Sequence, residues 1–253
     1  MLLRSITKHV KDQNWYAIGI DFFIVVIGVY FGMQVANQNE IRTFNNKETQ
    51  LLIELKREIE TAIIDTNQKI DSIEQAVAAI NRSVAFFEKR ESCGNECWPI
   101  VVDFLTASQW QLLLVNQTTY GEMRSLGLPR SREIIDAVEG YLSQNTQTAS
   151  AMDKPVYRSH VRGLIPLAIH DAYWETCYTA KDGNETYIRN CPKGVSDAVA
   201  QQTVKAILQA PNILEQLTFW YSDQVYTPVA LIVQNEAAAN AIEAIELELQ
   251  VRQ

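Results

Sequence analysis

The stretch LLIELKREIETAIIDTNQKIDSIEQAVAAINRSVAFF, residues 51–87, decides the fold. Its stripe residues are Leu52, Leu55, Ile59, Ile63, Thr66, Ile70, Ile73, Val77, Ile80, Val84 and Phe87, and the steps between them are all three or four. That spacing puts them on one face of an α-helix, in a heptad-like run with a single stutter. No Gly or Pro interrupts it, so a helix of about 45 residues, or ~65 Å, is expected. Glu58, Glu60, Lys69 and Asp71 fall on the outer face and read as solvated. Such a stripe is buried either in a coiled coil between chains or against helices of its own chain. The second is favoured, because the later segments carry stripes that also need burial.

Downstream, CWPIVVDFLTASQWQLLLV reads as one or two helices, with Val101, Val102, Leu105, Trp110, Leu113 and Leu114 apolar. SREIIDAVEGYLSQNTQTASAM is amphipathic, with Ser131 placed to cap it and Glu133 in its first turn. A helix starting after Pro155 is interrupted by Pro166. SDAVAQQTVKAILQAP is helical again, then ILEQLTFWYSDQVY, and last an Ala-rich acidic segment with Pro228 near its start. No strand alternation is long enough to compete. The expected class is all-α: an N-terminal transmembrane helix, a long membrane-proximal amphipathic helix and an extracytoplasmic helical bundle. The 10 Gly and 7 Pro in 253 residues agree with this.

Upstream, residues 15–36 hold no Lys, Arg or Glu, and Asp21 is the single acid. About twenty such residues cross a hydrocarbon core of roughly 30 Å. Trp15 and Tyr16 open the span at headgroup depth. The rival is a signal peptide, whose apolar region is shorter and ends in a small-x-small cleavage site; MQVANQ offers only Ala36. Arg4, Lys8 and Lys11 precede the span, whereas Arg42 and Lys47 are partly offset by Glu40 and Glu48. The positive-inside rule then leaves 1–14 as a short cytoplasmic segment and 37–253 as a periplasmic helical domain of a single-pass bacterial inner-membrane protein. Leu2, Leu3, Ile6 and Val10 share one face, suited to the cytoplasmic interface or to a frayed helix start.

Four cysteines test the location. Cys93 and Cys97 lie in ESCGNECW, and Cys177 and Cys191 flank YTAKDGNETYIRN. Both stretches are polar and turn-rich, so each pair can close a local disulfide in an oxidising compartment. Four cysteines formally permit three connectivities. Metal binding is the sharper alternative, but C-x2-C is absent and no His adjoins either pair. No cofactor and no metal is expected. A net charge of −8 argues against a nucleic-acid partner.

Asp21 asks for an explanation, since a carboxylate at mid-bilayer costs ~2.5–3.5 kcal/mol. Gly28, Gly32 and Ala36 form a small-xxx-small ladder, and Asp21, seven residues before Gly28, shares its face. Close backbone approach plus a polar group describes a helix–helix interface in lipid. The expected partners are the bilayer and either a second copy, as a homodimer, or another inner-membrane protein. The bland reading is a protonated or snorkelling acid with incidental glycines.

A search for catalytic chemistry yields little. His170, Asp171, Glu175 and Cys177 in HDAYWETC resemble metal ligands, without the histidine pair of H-E-x-x-H. The aromatics of TFWYSDQVY suit core packing better than a pocket. VNQTTYGEMRSLGLPRS, residues 115–131, is odd for a plain helix, being polar with Gly121, Gly127 and Pro129. IDFFIVVIGVYFGMQVANQNE and TTYGEMRSLGLPRSREIIDAVEGYL together resemble a family of bacterial single-span membrane proteins of unassigned function. The likeness covers the first 60 or so residues and roughly 115–143, and departs at Gln38, where a Trp is expected, and at Met123, where a Leu is usual. It implies an N-terminal anchor and a helical extracytoplasmic domain, and no activity. The expectation is a non-enzymatic scaffold or accessory subunit acting by protein contact. The alternative is a periplasmic sensory or ligand-binding module that signals through a partner.

Overall fold

The computed structural model describes residues 15–89 and 92–252, with side chains from residue 19 onward. The expected cytoplasmic segment 1–14 and the interfacial placing of Trp15 and Tyr16 lie outside what it describes. Among the described residues there are eight helices: α1 (Trp15–Lys89), α2 (Cys97–Ala107), α3 (Thr118–Ser125), α4 (Arg132–Ala151), α5 (Val156–Leu164), α6 (Leu167–Thr176), α7 (Asp197–Gln209) and α8 (Ile213–Val251). A single hairpin, β1 (Tyr178–Lys181) and β2 (Asn184–Tyr187), sits between α6 and α7. The chain divides into two units between Ile53 and Glu54.

In the first unit α1 turns its apolar side chains outward. Phe22 and Phe23 are each 67% exposed, and Phe31 and Met33 similarly so. Among the described residues α1 is the one helix long and apolar enough to cross a membrane, and none of its most apolar 18-residue window is buried. Water would penalise that surface by roughly 25 cal/mol per Å², which a bilayer would relieve.

In the second unit the stripe of α1 is covered by its own chain. Leu55, Ile59, Thr66, Ile73 and Ile80 are buried, and Ile63, Ile70, Val77, Val84 and Phe87 half-buried between them. Ile73 and Ile80 join the core formed around α2, whose Val101, Phe104 and Leu105 are almost wholly inaccessible. Phe87 meets the Phe104 ring edge-on at 5.5 Å. α4 lies along α8, and α2 packs on α7. Ser131 caps its helix as expected, its Oγ accepting from Ile134 N–H at 3.4 Å, and the structure adds a second cap, Ser196 Oγ accepting from Val199 N–H at 3.4 Å. Each such cap contributes ~1 kcal/mol.

Three local expectations need correction. The apolar run after Ala107 is not helical: Ser108 donates its hydroxyl back to Leu105 O at 2.6 Å, and residues 109–117 continue without regular structure. Pro228 lies inside α8 rather than near the start of a separate helix. Buried Trp220 and Leu231 hold both sides of the proline in the core, and that packing outweighs the ~3 kcal/mol a mid-helix proline costs. Finally, the polar loop between Cys177 and Cys191 contains the hairpin, in register Tyr178 with Tyr187 and Lys181 with Asn184. Asp182 and Gly183 turn it with positive φ of 53° and 84°, as a two-residue Asp-Gly hairpin turn requires.

Candidate functional site

A polar trough runs along α1. Its floor carries Glu54, Arg57, Glu58, Thr61, Asp65 and Lys69, and its far wall is the non-helical segment from Leu114 to Asn116 with Thr119. Asn145, wholly buried on α4, fixes that wall by reading its backbone as a neighbouring strand would. Its Nδ2 donates to Leu113 O at 2.7 Å and its Oδ1 accepts from Val115 N–H at 3.3 Å. Side chains there alternate, with Leu113 buried and Leu112 and Leu114 more than half exposed. Glu58 ties floor to wall by accepting from Thr119 Oγ1 at 2.6 Å, Thr119 N–H at 3.3 Å and Asn116 Nδ2 at 3.3 Å.

The space enclosed is about 460 Å³. A second cavity of about 230 Å³ shares Asp65 and Lys69 and runs on past Gln68, Ser72, Gln111, Gly183 and Glu185. Lys69 therefore stands at the junction of the two. Burial holds its ammonium below the usual lysine range, only partly offset by Asp65. The side chains of Glu54, Arg57, Asp65 and Lys69 make no hydrogen bond or ion pair among the described residues. The trough thus presents charges of both signs that no hydrogen bond holds, with Asp65 and Lys69 acting on each other, together with hydroxyls and an amide.

The hairpin closes the far end. Gln75 grips β2 by donating to Glu185 O at 3.0 Å and accepting from Tyr187 N–H at 2.9 Å, and Gln68 Nε2 donates to Asp182 O at 2.9 Å. The Glu185 carboxylate accepts from Gln111 Nε2 at 2.6 Å, from Tyr178 OH at 3.1 Å and from Tyr187 OH. Burial first, and then Glu185, push the Tyr187 hydroxyl well above the ordinary tyrosine range.

Two other charged clusters are structural. Asp103, 1% exposed, accepts from Arg82 Nε at 2.8 Å and Nη2 at 2.7 Å on one oxygen, and from Arg189 Nε at 2.9 Å on the other. Arg158 and Arg162 close the C-terminal end of α2: Arg158 Nη1 donates to Ser108 O at 2.6 Å and Arg162 Nε to Ser108 Oγ at 2.8 Å. A helix C-terminus carries partial negative charge that suits both cations. Burial and then Arg158 lower Arg162 to about 10.

Asp21, Gly28, Gly32 and Ala36 share the span as read, and the last three are exposed. Among the described residues nothing beyond the helix's own backbone lies within 4 Å of a Cβ built on Gly28 or Gly32, and Asp21 Oδ2 has no partner. The cysteines pair as neighbours, Cys93 with Cys97 and Cys177 with Cys191, with Cα–Cα separations of 4.9 and 5.0 Å. His170 is not brought into a metal cluster. Its Nε2 meets Arg162 O at 3.1 Å, and among the described residues no three His, Cys, Asp or Glu side chains converge. Trp220 is core, donating Nε1–H to Ala107 O at 3.0 Å, whereas Phe219 and Tyr226 face outward.

The trough itself was not read from sequence. Glu58 and Lys69 had the pattern of a solvated face, and only the unusual polarity of 115–131 marked the opposite wall. No family model, curated protein or solved structure matches the chain.

Proposed function

We propose that this protein is a membrane-anchored helical module, its domain on the oxidising side of the membrane, that works by contact with other proteins and not by catalysis. The carrying observation is the span: none of its most apolar stretch is buried by the described residues, and Asp21 and the small-residue ladder fall on one side of it. In a bilayer an unpaired acid beside small residues is relieved by a second helix that supplies a hydrogen bond and close packing. The two cysteine pairs support an extracytoplasmic domain, since such bonds persist where thiols are not kept reduced. The companion helix belongs either to a second copy or to another inner-membrane protein.

The test is cross-linking in native membranes. A photoreactive residue at Gly28 should give one discrete adduct, identified by mass spectrometry, and Asp21→Leu should abolish it. Lipid adducts alone, unchanged by Asp21→Leu, would refute the contact. Alkylation of the cysteines by an impermeant reagent after reduction tests the sidedness separately.

A second reading, a ligand-binding module that signals through its partner, is favoured by one observation. The trough of about 460 Å³ lies within the size range of ligand sites and carries unpaired charge. Its direct test is a bound small molecule retained on gentle purification.

A further inference from the structure

We infer that the trough beside α1 is a receptor for the free C-terminal end of a peptide, with Lys69 receiving the α-carboxylate. Three independent observations meet there. The first is Lys69 itself, half-buried where the two cavities join and without a hydrogen-bond acceptor among the described residues. Asp65 acts on it electrostatically but accepts no hydrogen bond from it, so its three donors stay open and an anionic oxygen is their natural complement.

The second is the wall. Asn145 takes the backbone of Leu113 and Val115 on one edge. In a strand-like segment alternate residues direct their N–H and C=O groups to opposite edges. The main-chain groups of Leu112 and Leu114 therefore belong to the other edge, and no described group pairs with them. An open backbone edge beside a cavity is what an added peptide strand uses, with main-chain bonds giving affinity independent of sequence. The third is extent. Glu54 to Lys69 spans ~22 Å of helix, so the floor is elongated rather than round. A carboxylate on Lys69 leaves room for about six extended residues running along the wall toward Arg57 and Glu54.

Charge selects the orientation. At the junction end Lys69 is the cation, Asp65 beside it offsets its burial only in part, and Glu185 beyond is already occupied by two tyrosines and Gln111. At the other end Glu54 is free and would favour a basic side chain on the peptide. A small carboxylate alone would use Lys69 but neither the wall nor Glu54. The inference does not depend on what the span contacts, because it concerns a different unit of the chain.

The experiment uses the full-length protein in detergent micelles and two fluorescein-labelled random heptapeptide pools, one with a free C-terminus and one amidated. Fluorescence anisotropy should show binding of the free-acid pool and at least tenfold weaker binding of the amidated pool. Lys69→Gln should erase that difference, and Lys69→Arg should keep most of it, with unchanged circular dichroism in both. Acetate should compete only far above the peptide concentration. The inference is overturned if both pools bind alike, if neither binds at millimolar concentration, if Lys69→Gln still discriminates, or if acetate competes as well as peptide does.

Discussion

Removing Asp103 should cost less stability than removing the two arginines that hold it. The carboxylate is 1% exposed, while the Arg82 and Arg189 side chains are 40% and 39% exposed. When the acid is deleted, both guanidiniums rotate into water and no charge is stranded. Three charge-assisted hydrogen bonds are lost, each worth ~1.5–3 kcal/mol at full burial. The exposure of the donors discounts that strongly, because exposed ion pairs contribute under ~1 kcal/mol. Asp103→Ala should therefore cost ~2–3 kcal/mol, part of it the small void left in α2. Arg82→Ala and Arg189→Ala should each cost ~1 kcal/mol, since the other arginine still serves the acid. The double variant leaves a buried carboxylate with no partner, which costs ~3–5 kcal/mol. The coupling between the arginines is then ~2 kcal/mol, and adding Asp103→Ala to the double variant should restore stability. The assay is urea unfolding of the full chain in a mild detergent, followed by tryptophan fluorescence. Additive arginine effects, or no recovery in the triple variant, would refute the account.

Further outcomes can be measured on the same protein. Lys69→Met should raise the midpoint of thermal unfolding by about 1–3 °C, because a desolvated ammonium that Asp65 only partly offsets is removed. For the same reason the Lys69 contribution improves as pH rises toward the unfolded lysine value; calorimetry in weakly alkaline buffers should show the gain in the parent protein and not in the Met variant. Replacing Cys177 and Cys191 by Ser opens a loop of about 15 residues and should cost ~3 kcal/mol in the chain-entropy model, read as a lowered urea midpoint. Gly183→Ala should destabilise by ~1–2 kcal/mol, since φ is +84° and a Cβ would strike Gln68. Burial raises Tyr120 and Tyr141 to about 12, and Tyr157 further. Their folded values exceed the unfolded value near 10, so stability is intact below about pH 10 and falls as pH climbs above it. Tyrosinate absorbance should lag the count of tyrosines until the chain unfolds.

Most of the helical fold was legible because helix periodicity is local. The stripe from Leu55 to Phe87 and the serine cap at Ser131 depend on spacing within a few residues, and they form where the spacing puts them. The cysteines paired with their neighbours for the same reason. The misses arise where distant groups decide. Leu112, Leu113 and Leu114 have good helix propensity, yet Asn145, some thirty residues away, holds them as a strand-like wall. Pro228 is a helix breaker in isolation, but Trp220 and Leu231 keep α8 continuous. The hairpin had its own signal in Asp182-Gly183, overlooked because strands of four residues carry too little alternation to be seen.

By itself the sequence determined the class of the protein: a helix suited to lipid at one end, a long amphipathic helix, and a disulfide-stapled helical domain. Those features follow from residue order and from the cost of exposing apolar or burying polar groups. Only the tertiary structure decided which polar residues would be shielded together. Glu58 and Lys69 look alike on the helical wheel, both on the charged face. Folding brought donors on Thr119 and Asn116 to the first, whereas the second has only Asp65, on its own helix, acting on it. A contact across some sixty residues satisfies one charge and not the other, and no local pattern encodes that difference.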